Sequence, residues 1–65
     1  MLPHQQRVVD ELAELTDRIE KLSKFINDVT GPFKTLDLTD QGLLISQFKV
    51  MTQYRVILEQ RIARF

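Results

Sequence analysis

The chain has 65 residues, no cysteine, and nine basic side chains against nine acidic ones, which excludes a disulfide framework and thiolate metal sites. The neutral balance argues against a DNA-coating protein. No apolar run is long enough to cross a bilayer, and the opening MLPHQQRVVDE lacks the apolar block of a signal peptide, so a soluble cytoplasmic protein with no membrane and no DNA partner is expected. The lone histidine, His4, cannot build a zinc site. No metal or cofactor is therefore expected, and self-association is the remaining support for so short a chain.

Pro3 suits the first turn of a helix, where its missing N–H is not needed, and nothing breaks a helix from there to residue 28. Val8, Leu12, Leu15, Ile19, Leu22 and Ile26 recur at spacings of 4, 3, 4, 3 and 4, a heptad seam that Val9, Phe25 and Val29 widen. Outside the seam, Glu14–Arg18, Asp17–Lys21 and Glu20–Lys24 are acid-before-base pairs four residues apart, which support a solvated helix. Thr30-Gly31-Pro32 is then a stop: glycine permits a left-handed cap and proline cannot continue the ladder. Phe33, Leu36 and Leu38 are expected to pack the connection, residues 29–39, over the hairpin end. Thr39 is the expected N-cap of a second helix over residues 40–64, with Asp40 in its positive first turn.

The second seam reads Leu44, Phe48, Met51, Arg55, Leu58, Ile62 and Phe65, with Leu43, Val50, Tyr54 and Ile57 in a row beside it. Together these rows cover more face than one partner helix can bury. The expected fold is all-α: an antiparallel two-helix hairpin that assembles into a helical-bundle homo-oligomer, a dimer, tetramer or higher.

Arg55 stands at a seam position where an apolar residue is expected. Aligning Ile26 with Leu44 places it near Leu15, within reach of Glu11 or Glu14. One reading is a polar pair that fixes register or subunit number. The other is a guanidinium that holds an anionic ligand, with Tyr54 stacking on a base. The hairpin also gathers His4, Arg7, Arg61 and Arg64 at one end. There they either match the helix dipole or, duplicated by symmetry, form a phosphate-binding ring. The chain has no P-loop, GxGxxG, HExxH or EF-hand loop, the helices are too long for a helix-turn-helix, and no nucleophile–base pair accompanies His4. No enzymatic activity is expected.

PHQQRVVDELAEL, KLSKFI and LLISQFKVMTQYRVILEQRIARF resemble a family of very short bacteriophage and prophage proteins related to a small crAss-like-phage protein. The matching positions are Gln6, Arg7, Val8, Asp10 and Glu11; Leu22, Phe25 and Ile26; and Leu43, Leu44, Gln47, Met51, Tyr54, Leu58, Arg61 and Ile62. The polar ones carry the weight, because many of the others are simply core. The resemblance implies phage origin and a counter-defence role: compact helical oligomers of this kind sequester the cyclic nucleotide or oligonucleotide signals of bacterial immunity. On that reading Arg55, Arg61, Arg64 and Arg7, with His4 beside them, hold phosphate, Tyr54 stacks on a base, and Gln47 or Gln53 reads a base edge. Two alternatives stay open: a protein–protein inhibitor of a host factor that uses the wide apolar face of the second helix, and a purely structural oligomerisation module.

Overall fold

A computed structural model describes the whole chain, Met1–Phe65. Helix α1 (Pro3–Asn27) and helix α2 (Leu38–Ile62) lie against each other and are joined through a short 3-10 turn, Pro32–Thr35. Each helix has 25 residues, so each is about 37 Å long. The molecule is a rod of 45 × 17 × 14 Å with a radius of gyration of 14.7 Å. A globule of this length would measure about 11 Å.

Local chemistry sets the ends of the elements. Pro3 occupies the first helical position, and the Leu2 N–H donates to Gln5 Oε1 at 3.1 Å, so one exposed donor is satisfied. At the other end of α1 the expected left-handed glycine is absent: no residue has a positive φ, and Gly31 is extended at φ −87°. Asp28 ends the helix instead. Its Oδ1 accepts from the Thr30 N–H at 3.0 Å and the Thr30 hydroxyl at 2.9 Å, which turns the chain away from helical geometry. Gly31 is needed for space, since a Cβ there would lie 2.7 Å from Asp28 Oδ2.

Helix α2 begins two residues earlier than the sequence reading placed it. Asp37 is the cap, accepting from the Thr39 N–H at 3.1 Å, where Thr39 itself was expected. A carboxylate at this position both accepts the hydrogen bond and meets the positive end of the helix dipole, so it outcompetes a hydroxyl two residues on. The connection packs down as expected through Phe33, which is buried and meets Phe25 edge-on at 6.1 Å between ring centroids. Gln41 ties α2 back to the connection by donating to the Leu36 carbonyl at 2.9 Å. Leu38 and Val29 do not join this packing; both are strongly exposed.

The core is thin. Val8, Leu15, Ile19 and Leu58 form it, with Leu12, Phe48, Met51 and Ile62 packed around them. This is the predicted heptad seam facing its antiparallel counterpart. Of the three helix-face pairs, only Asp17–Lys21 closes, at 2.9 Å between well-exposed side chains, where it adds little.

The two helices differ in kind. In α1 the apolar residues keep to one side. In α2 they are spread around most of the axis, on both sides of a narrow polar strip of Ser46, Lys49, Gln53 and Gln60. One copy of α1 covers one face of α2 and leaves Leu43, Val50 and Ile57 exposed on one flank, with Ile45 and Val56 on the other.

Candidate functional site

Consecutive residues of a helix point about 100° apart, so neighbours at the edge of a seam fall on opposite flanks. Arg55 and Tyr54 divide in this way, and the two flanks of the hairpin have different chemistry.

On one flank a shallow groove runs between the helices. Its larger part, ≈ 390 Å³, is lined by Ile19, Glu20, Ser23 and Lys24 of α1 and by Phe48, Thr52 and Arg55 of α2. It continues past Ser23 and Phe48 into a smaller hollow of ≈ 120 Å³ bounded by Ile26, Asn27 and Ile45. The floor is apolar and aromatic. Two cations, Lys24 and Arg55, and one carboxylate, Glu20, are among its lining. The larger part lies within the range of about 300–1,000 Å³ usual for small-molecule sites.

Arg55 does not pair with Glu11 or Glu14 across the seam. Its nearest carboxylate is Glu59, one turn on along the same helix, with Nε 3.5 Å from Oε1. That contact is too long for a good hydrogen bond, and Nε is buried with no hydrogen-bond partner. The phase of α2 explains the difference. Arg55 leans toward the Glu20–Lys24 flank, whereas Glu11 lies on the opposite flank and is taken there by Tyr54.

Tyr54 donates its hydroxyl to Glu11 Oε2 and thereby joins α2 to α1. The bond holds the phenol protonated, because an ionised phenolate would face the Glu11 carboxylate. Desolvation adds to this effect and nearby Arg61 opposes it, so the pKa is raised above the ordinary value near 10. The linkage sign follows. Below the unfolded-state value the bond's contribution to stability is fully present, and it is lost as pH rises through the higher folded-state value. The chain has one tyrosine, so alkaline absorbance titration reads this residue alone. The midpoint should lie above 10 in the native protein and fall back toward it in Glu11→Gln; equal midpoints would show that the bond does not persist in solution.

The other expected site residues are dispersed. Gln47 shares the Tyr54 flank and donates to Met51 Sδ at 3.7 Å. Gln53 is exposed and outside the groove. His4, Arg7, Arg61 and Arg64 are all exposed and make no ion pair, and the antiparallel hairpin brings the two chain ends carrying them together. Of the eight expected residues, only Arg55 lines the groove. Lys24, Ser23, Phe48 and Thr52 line it too, and each reads as seam or solvated surface when its helix is taken alone.

No group of histidine, cysteine, aspartate or glutamate side chains converges as a metal site, and no helix is long and apolar enough to cross a membrane. The Sequestin family model matches residues 2–64. The chain belongs to the Sequestin family. A protein of Enterobacteria phage T4, described as an uncharacterized 7.5 kDa protein in the denB-rIIB intergenic region, is 43% identical over 65 residues, covering 100% of this chain and 98% of the relative. No solved structure matches. Kinship with small phage proteins, expected from the sequence, is therefore established; these matches carry nothing about crAss-like phages in particular. The Sequestin match spans both helices, so it includes every residue of the groove and of the Tyr54–Glu11 bond.

Proposed function

We propose that this is a phage-encoded counter-defence protein that binds and sequesters a cyclic nucleotide or oligonucleotide immune signal in the host bacterial cytoplasm, as an assembly of several copies and without catalysis. The observation that carries this reading is the buried Arg55 Nε, a charged donor with no hydrogen-bond partner, on an arginine that lines the groove. A phosphate oxygen is a fitting acceptor for a guanidinium fork, and Lys24 adds a second cation to the lining of the same groove. The Ser23 hydroxyl adds a short-range polar contact. Phe48 offers a base platform on this flank, and Asn27 bounds the adjoining hollow. Tyr54 is committed to Glu11, and stacking on it would belong to the opposite flank. The Sequestin name itself denotes sequestration, and the phage relative supplies a setting in which holding an immune signal benefits the gene that encodes the protein.

The test uses the weak intrinsic absorbance of a chain with no tryptophan and one tyrosine. Protein purified from bacteria with an active cyclic-nucleotide immune system should show a spectrum dominated near 260 nm by retained nucleotide. A clean protein spectrum, together with no thermal shift across a panel of cyclic di- and trinucleotides, would defeat the reading. The second reading, inhibition of a host factor, is favoured by the exposed apolar side chains of α2. It requires one host protein recovered in stoichiometric amount by affinity capture, and loss of that capture on charging the face.

A further inference from the structure

The surface of this chain is too large for its mass. A compact monomer of 7.6 kDa exposes about 4,300 Å². This one exposes 5064 Å². The surplus is about 770 Å², close to the ~800 Å² that each partner gives up in a standard-size interface.

Much of the exposed apolar surface is ordered. Leu43, Val50 and Ile57 are 63%, 64% and 51% exposed, and they repeat every seven residues along one flank of α2. Seven-residue spacing is the repeat that keeps a row facing a second helix over its whole length. The row is symmetric about Val50, so an antiparallel copy of α2 sets Val50 against itself and Leu43 against Ile57. The opposite flank fits a second copy less well: Ile45 and Val56 are separated by Lys49 and Thr52, and Ile45 already bounds the groove.

Charge selects the antiparallel arrangement. Helix α2 is capped by Asp37 and carries Asp40 in its first turn, and it has Arg61 in its last turn with Arg64 just beyond it. Two antiparallel copies bring the arginine end of each to the aspartate end of the other, with the helix dipoles opposed. Parallel copies would stack arginine on arginine and aspartate on aspartate.

We propose that a second copy of this chain docks on the Leu43–Val50–Ile57 face, antiparallel and centred on Val50. The result is a four-helix bundle with the two α2 helices adjacent at its centre. It specifies the self-association proposed above and does not depend on the ligand. It leaves the Arg55 groove on the open flank, so each dimer carries two grooves and each chain one binding site.

The native chain has no cysteine, so single-cysteine variants read the geometry without background. Light scattering of the native protein at micromolar concentration should give twice 7.6 kDa or a multiple of it. On mild oxidation Val50→Cys should form a disulfide-linked dimer. Leu43→Cys alone should not, but mixed with Ile57→Cys it should. Val50→Glu should weaken association at least a hundredfold. A monomer mass, self-linkage of Leu43→Cys, or linkage through Val56→Cys with none through Val50→Cys would each overturn the proposal. None of these measurements involves nucleotide, so failure of the ligand reading leaves them interpretable, and their failure leaves the groove untested by them and intact.

Discussion

Leu58→Ala should remove most of the cooperative stability of this chain, lowering its unfolding free energy by about 2–5 kcal/mol. Leu58 is the one side chain with no exposure at all. It belongs to the same buried cluster as Val8, Leu15 and Ile19, where the two seams face each other. In a rod of two helices nothing behind these residues can move in to close the gap, so a cavity there relaxes poorly and the cost should fall toward the upper end. A domain of this length commands roughly 3–10 kcal/mol in total. The variant should therefore unfold with a midpoint far below that of the parent, or show no baseline at room temperature, in urea and thermal melts followed by circular dichroism. Leu38→Ala is the control. Leu38 is 82% exposed, and truncating it should shift stability by no more than about 0.5 kcal/mol. Equal losses in the two variants would mean that the seams do not meet at Leu58.

The hairpin was legible because its signals are local and periodic. The run from Val8 to Ile26 has no competing pattern, and Pro3 with the Gly31-Pro32 break bounds it from both sides. The errors arose where two plausible groups compete over a few residues. Asp37 and Thr39 both cap helices, and the carboxylate prevails by charge. Gly31 and Asp28 both end helices, and the aspartate prevails because its side chain has the Thr30 N–H and hydroxyl within reach. Arg55 was expected to meet Glu11 or Glu14 across the seam; the phase of α2 turns it to the other flank, where Glu59 of its own helix is the nearest carboxylate. The groove was not legible at all. Its lining alternates between helices, and which flank a seam-edge residue occupies depends on the phase at which α1 and α2 meet. Only the folded pair specifies that phase, so Lys24, Ser23 and Thr52 read as ordinary surface while Arg55 stood out by breaking the apolar row.

Arg55→Leu separates the two roles open to that arginine. As a structural element it performs poorly: Nε is buried without a hydrogen-bond partner, and Glu59 is too far to satisfy it. A buried donor left unpaired costs about 1–3 kcal/mol, and leucine removes the donor while filling much of the space under it. The thermal midpoint should therefore hold or rise. As a ligand-binding group Arg55 should be costly to lose. Charge-assisted hydrogen bonds contribute about 1.5–3 kcal/mol each, so affinity for a cyclic dinucleotide should fall roughly 10- to 150-fold by calorimetry. Arg55→Lys keeps the charge and loses the planar fork, and should recover only part of that affinity. Glu59→Gln should act in the opposite sense, because the carboxylate competes with phosphate for the same guanidinium. A stable Arg55→Leu protein that binds as tightly as the parent would remove the groove from the function. A sharply destabilised one would instead show that the Glu59 contact holds the helix together, and that the seam arginine is there for the fold.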